Sequence, residues 1–293
     1  KRPSRPLIVM ISGHATVKSA VECMENGAFT YVTKPFSPDE MAAVLKKAEE
    51  HAHLLKVNQF LSHGEDVETG SEILGSSRAI EELRALIRRV ARTQATVLIQ
   101  GESGTGKELV ARALYRHSPR AHAPFIKLNC AAIPENLIES EFFGHEKGAF
   151  TGAAASKQGL IAAAEGGTLF LDELGEMPAP MQVSLLRFLD QGEYRPVGST
   201  RTLHADVRIV GATNQDLQQA VTAGRFREDL FYRINTVMLN VPPLRERTED
   251  IPALAEHILT ALRPATTARR TLTPAALRQL TAYRWPGNIR ELR

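Results

Sequence analysis

The chain has 293 residues, enough for about two domains, and its 43% hydrophobic and 24% charged content lies near the globular average, which indicates neither a disordered chain nor a membrane protein. No apolar run approaches the ~18 residues of a spanning helix, and Lys1 to Pro6 has no signal-peptide core, so the sequence reads as cytoplasmic with no membrane contact. A net charge of +3 is too small to argue by itself for nucleic-acid binding, and the 2 cysteines, Cys23 and Cys130, form neither a disulfide framework nor a metal pair and read as packing residues.

The first element is the apolar run Leu7 to Ile11, a buried strand, followed by Ser12-Gly13 and an amphipathic helix from Ala15 to Asn26 that Gly27 ends. A second strand, Phe29 to Val32, leads into Lys34-Pro35-Phe36. Ser37-Pro38-Asp39-Glu40 is a capping box with proline at the first helical position. In the long helix that follows, Met41, Leu45, Ala48, Ala52 and Leu55 alternate steps of four and three. This spacing suits a coiled-coil seam and equally a helix packed on its own domain. From Ser62 to Gly75 the composition turns polar and glycine-bearing, which marks a domain boundary.

The strand-like Thr96 to Ile99 precedes Gly101-Glu102-Ser103-Gly104-Thr105-Gly106-Lys107, and the helical pattern Glu108 to Tyr115 follows. This is a P-loop in its required context. Its glycines let backbone N–H groups turn toward phosphate oxygens, the helix N-terminus adds partial positive charge, and Lys107 reaches the β and γ phosphates of ATP. Glu108 stands where a P-loop usually has the Ser or Thr that ligates Mg²⁺, so the ion must rely on another carboxylate. The apolar strand Thr168 to Leu171 ends in Asp172 and Glu173. Ligands of an open α/β sheet gather beyond the carboxyl ends of its strands. Asp172 is therefore read as the Mg²⁺ residue and Glu173 as the general base that deprotonates water. A further strand, Val207 to Val210, runs into Gly211-Ala212-Thr213-Asn214, placing Asn214 near the same edge to hold the lytic water or sense the γ-phosphate. His145-Glu146 does not continue to a second histidine, so a zinc-protease motif is excluded.

From Ile73 to Arg293 these residues resemble the AAA+ domain of bacterial enhancer-binding proteins, the NtrC-like activators of sigma-54 RNA polymerase. Gly101 to Glu108 matches the family's P-loop, its glutamate included, and Leu171-Asp172-Glu173 its acidic strand. Gly148-Ala149-Phe150-Thr151-Gly152-Ala153 matches the signature loop by which the family grips the sigma factor. The segment Phe226 to Arg233 resembles the one that offers arginines, here Arg227 and Arg233, to a neighbouring subunit's ATP. Trp285 to Leu292 resembles the lid motif, whose Arg290 senses nucleotide in its own subunit, and Asn129 matches the asparagine that pairs with the catalytic glutamate as a switch. From the residues alone, Phe150 between glycines is either an exposed apolar tip or a tucked-in plug, and the two arginines read as surface residues.

The first piece resembles the carboxyl-terminal half of a response-regulator receiver, with Ser12 as switch hydroxyl, Tyr31 as switch aromatic and Lys34 as the phosphate-contacting lysine. The resemblance implies a longer protein, with the rest of the receiver, and a helix-turn-helix for DNA, outside this chain. The expected fold is a three-layer α/β P-loop AAA+ core with a parallel sheet and a small helical lid, behind half a receiver. The boundaries are 1–48 receiver, 49–72 connector, 73–242 ATPase core and 243–293 lid. The implied function is ATP hydrolysis in a hexamer or heptamer ring that remodels sigma-54 RNA polymerase closed complexes, under a sensor histidine kinase. Two other classes stay open: a AAA+ remodeller of another protein or DNA, and a nucleotide-gated binding module without turnover.

Overall fold

The computed structural model describes residues 9–12, 30–34, 36–37, 41, 73–150, 153, 155–262 and 271–293. They fall in two compact units, one within residues 1–66 and one within 67–293. In the first, strands β1 (Val9–Ser12) and β2 (Thr30–Thr33) pair in parallel, with Ser12 opposite Thr33. Both strands lie within two residues of the expected positions. A parallel pair requires a crossover, and the helix expected at Ala15 to Asn26 lies outside the described residues. Met41 N donates to Ser37 O at 3.1 Å, the i to i−4 bond of a helix that opens at the capping box. The rest of that helix and the linker up to Glu72 also lie outside the described residues.

The second unit opens with α1 (Arg78–Ala91), whose Ile80, Leu83, Ile87 and Val90 are buried along one helical stripe. It continues through β3 (Val97–Gln100), α2 (Lys107–Arg116), β4 (Phe125–Asn129) and α3 (Glu135–Phe143). A short antiparallel ladder, β5 (Gly144–His145) with β6 (Lys157–Gln158), precedes α4 (Leu160–Ala163) and β7 (Thr168–Asp172). Next come α5 (Ala179–Gln191), the small pair β8 (Glu193–Tyr194) and β9 (Leu203–His204), and β10 (Arg208–Thr213). Helices α6 (Leu217–Thr222) and α7 (Glu228–Ile234) lead to β11 (Val237–Asn240).

Strands β11, β3, β10, β7 and β4, in that order, form a five-stranded parallel sheet. Side chains alternate across a strand, and here the alternation builds both covering layers. Val97, Ile99, Phe170, Val210 and Ala212 pack with α1 and α2 on one face. Leu98, Leu169, Leu171 and Ile209 pack with α3, α5 and α7 on the other. Full burial of each of these side chains other than Ala212 is worth about 1.5–3 kcal/mol, so the near-continuous apolar strands suit a sheet covered on both faces. Arg208, buried at the start of β10, donates to the carbonyls of Val90 and Ala91 and so satisfies the last turn of α1.

Beyond the sheet, α8 (Ile251–Ala261), α9 (Pro274–Ala282) and α10 (Asn288–Leu292) share a small core of Leu244, Ile251, Leu254 and Trp285. Trp285 Nε1 donates to Leu280 O at 2.7 Å, which satisfies the indole of this core. The expected three-layer core and helical lid are both present. Among the described residues no helix is long and apolar enough to cross a membrane.

Candidate nucleotide site

The loop between β3 and α2 has Gly104 at φ 79° and Gly106 at φ 102°, the left-handed region that glycine enters without steric cost. A Cβ on Gly104 would also lie 2.3 Å from Gly287 O, so the lid approaches the loop closely. Ile289 N donates to Gly104 O at 3.0 Å across that contact. Parallel register brings the carboxyl ends of β3, β10, β7 and β4 to one edge, with Thr213 opposite Gln100 and Asn129 opposite Asp172. There Lys107, Asp172, Glu173, Asn214 and Arg290 line one cleft of about 340 Å³. Gly106, Leu109 and Ile289 also line an adjoining, largely apolar cavity of about 540 Å³ walled by Ile73, Leu74, Val241 and Leu254. A polar pocket opening onto an apolar one matches the triphosphate and base of a nucleotide.

Lys107 Nζ donates to the carbonyls of Gly101 and Glu102, at 2.8 and 3.1 Å. Burial lowers its pKa below the ordinary lysine value; Asp172 and Glu173 oppose that shift and Arg290 adds to it. Asp172 Oδ1 accepts from Glu173 N at 3.1 Å. Glu173 has φ 53°, a left-handed conformation that costs a non-glycine residue roughly 1–2 kcal/mol and is found where function over-determines the backbone. Arg290 Nη1 donates to Ser103 Oγ at 2.9 Å, tying the lid arginine to the loop.

Among the described residues no cluster of three or more His, Cys, Asp or Glu could cage a metal. Mg²⁺ is ordinarily held by one or two carboxylates together with substrate phosphates, and Asp172 beside the P-loop fits that requirement. Glu108 has its carboxylate engaged on both oxygens, by Arg112 at 3.1 Å and Lys127 at 2.6 Å. Burial by itself would raise its pKa, but Lys127 and Arg112 outweigh burial and hold it below the usual carboxylate range. Burial pushes the Cys130 thiol up to about 12, with Asp172 and Glu173 adding to the shift, which leaves it an inert packing group.

Asn129, Arg227, Arg233 and the signature loop are not among the residues that line this cleft. The Asn129–Glu173 pair is not formed: Asn129 Oδ1 accepts from Ala131 N at 2.9 Å and caps the turn that follows β4. Arg227 and Arg233 lie at the two ends of α7 and do not line the cleft of their own chain. Arg227 pairs with Asp229 at 2.6 Å, and Arg233 pairs with Asp190 at 3.0 Å and donates to Leu189 O. In the signature loop, Gly148 N donates to Ala153 O and Ala153 N to Phe150 O. Phe150 is 36% exposed with its ring edge against His145, at a centroid distance of 5.0 Å. Thr151 and Gly152 lie outside the described residues. In the first unit Ser12 and Thr33 end the strand pair together, Tyr31 lies opposite Met10, and Lys34 follows exposed.

Sequence reasoning missed several residues that join lid to loop. Arg245 makes a bidentate pair with Glu102, at 2.6 and 2.8 Å. Asn288, fully buried, donates to Glu102 Oε2 and Ser103 O and accepts from Leu244 N. The hydrogen bonds from Arg245 and Asn288 lower the Glu102 pKa to about 2. Arg247 Nη2 donates to Thr105 O at 2.9 Å. The Arg245-Glu246-Arg247 run looks like a solvated surface in sequence, and Asn288 reads there as part of the turn Pro286-Gly287-Asn288.

Comparison with known proteins agrees with this geometry. Residues 73–240 match the model of the sigma-54 interaction domain, and residues 245–293 match that of the AAA+ ATPase lid domain. The DNA-binding transcriptional regulator NtrC of Escherichia coli (strain K12) is 48% identical over 296 residues, covering 100% of this chain and 62% of the relative. The chain thus spans less than two thirds of such curated relatives. Solved structures of NtrX from Brucella abortus in complex with ADP and with ATP each superpose with a TM-score of 0.71 at 39% identity. Each covers 98% of this chain, which spans 64% and 61% of the two NtrX chains respectively.

Proposed function

The chain belongs to the sigma-54 interaction domain family, and from that premise we propose that it is the ATP-hydrolysing motor of a transcription activator that remodels sigma-54 RNA polymerase closed complexes. The convergence of Lys107, Asp172, Glu173, Asn214 and Arg290 on one cleft beside an apolar cavity carries the reading. Backbone N–H groups of the loop and the N-terminus of α2 would receive the β and γ phosphates, with Lys107 leaving its carbonyls for them. Asp172 would hold Mg²⁺, which supplies neutralisation of the charge that develops on the phosphates. Glu173 would take the proton of the attacking water while Asn214 orients that water.

Arg227 and Arg233 lie outside their own cleft, which favours their delivery to a neighbouring copy and therefore a hexamer or heptamer ring. An arginine finger of this kind is worth about 10³ to 10⁵ in rate. Phe150, on a loop based on the β5–β6 ladder and away from the cleft, is the contact to sigma-54. The match of NtrC, described as a DNA-binding transcriptional regulator, supports DNA binding by a part outside this chain. Within the chain we assign 1–48 to a partial receiver addressed by a histidine kinase, 49–72 to a connector, 73–242 to the ATPase core and 243–293 to the lid.

The test combines phosphate release by the purified protein with co-purification of sigma-54 in ATP plus a γ-phosphate mimic. Turnover with nucleotide-dependent retention of sigma-54 is expected. No turnover would refute the motor, and turnover without retention would refute sigma-54 as its target.

A further inference from the structure

We propose that Lys127 is a positioning residue that keeps Glu108 out of the ligand set of the cation at the nucleotide site and leaves that role to Asp172. The inference rests on the assignment of Asp172 to the metal. Alternation along β4 buries Ile126 and Leu128 on one face and sends Lys127 to the other, the face of α2. There its Nζ lies 2.6 Å from Glu108 Oε2 and 3.9 Å from Asp172 Oδ2. Glu108 lines the cleft with Asp172 and Glu173, and its Oε1 accepts from Arg112 Nη2 at 3.1 Å, so cations from two directions occupy both oxygens of the carboxylate.

The placement matters because Glu108 occupies the position at which a P-loop ordinarily presents a neutral hydroxyl to the metal. A free carboxylate there would add a full negative charge beside Asp172 and Glu173. Divalent cations bind more tightly as the number of charged ligands rises, so an unrestrained Glu108 would tighten the ion and slow its departure with product. Lys127, exposed with its side chain at 36%, provides a counter-charge and a hydrogen bond that hold the glutamate in reserve.

The experiment measures binding of a fluorescent ATP analogue as a function of Mg²⁺ concentration, and of Mn²⁺ by electron paramagnetic resonance with and without nucleotide. The proteins are wild type, Lys127→Met, Lys127→Arg, Glu108→Gln and the Lys127→Met/Glu108→Gln pair. Lys127→Met keeps length and removes charge. It should lower the Mg²⁺ midpoint by about two- to fivefold, the range a half-exposed ion pair supports, whereas Lys127→Arg should keep the wild-type midpoint. In the Glu108→Gln background the shift should fall by more than half, since coupled residues are non-additive. An unchanged or raised midpoint in Lys127→Met would overturn the proposal, as would an equal shift in both backgrounds. Wild type that binds the analogue without any dependence on Mg²⁺ would overturn the metal assignment of Asp172 and this inference with it.

Discussion

Phe150→Ala separates a gripping tip from a packing plug. A fully packed phenylalanine costs about 3–5 kcal/mol when truncated. Phe150 is 36% exposed, and its described ring contact is with His145 at 5.0 Å. Its loss should therefore cost about 1–2 kcal/mol, scaled down for the part already in water and for a loop able to relax. For a unit of this size that lowers the melting temperature by about 2–8 °C. Phe150 does not line the nucleotide cleft, so analogue binding and phosphate release should stay within about twofold of wild type, a free-energy change too small to mark a catalytic group. Retention of sigma-54 in the trapped state should be lost. The assay compares melting temperature, phosphate release and sigma-54 co-purification on the same preparations. A loss above about 3 kcal/mol together with failed turnover would establish the plug, and undiminished sigma-54 capture would refute the contact.

Glu173→Gln keeps the side chain's shape and removes the base, so nucleotide binding should persist while turnover falls by about 10²- to 10⁴-fold; near-wild-type phosphate release would remove Glu173 from that role. Lys107→Ala subunits retain Arg233 and Arg233→Ala subunits retain the P-loop, so mixing the two inactive proteins should restore part of the ATPase activity. Mixtures no more active than their components would mean that Arg233 is not delivered between subunits. Asp250 is fully buried and accepts hydrogen bonds from Ser76 N, Ser77 N and Ser77 Oγ. Asp250→Ala orphans those donors and should cost about 3–5 kcal/mol by chemical denaturation. Asp250→Asn, which keeps one acceptor, should cost less, and equal costs would show that packing rather than hydrogen bonding dominates.

The sheet was legible because its strands are apolar on both faces and because the chemistry stands at their ends. Thr168 to Asp172 is buried up to the residue before Asp172, and the boundary between burial and exposure is itself where the cleft opens. The P-loop was legible for a related reason, since its glycines, lysine and helix are consecutive and need no distant partner to define them. Asn129 was found as a residue but not as a contact, because a cap to Ala131 and a pair with Glu173 require the same residue type at the same strand end.

What escaped the sequence are groups whose meaning is assigned only by a partner far along the chain. Asn288 is 186 positions from Glu102, and Arg245 is 143 from it. Nothing within either local segment tells a solvated polar residue from one that closes a loop. The apolar cavity is similar: Ile73 and Leu74, Val241, and Leu254 come from three separate stretches, each of which reads as ordinary core. Together these contacts give the lid its role. Arg245, Asn288, Ile289 and Arg290 all bond to Glu102, Ser103 or Gly104, within the same loop that carries Lys107. A ligand that drew Arg290 from Ser103 Oγ would act beside three further lid contacts to the same three loop residues, so the lid and the loop are placed to respond together under the proposed function.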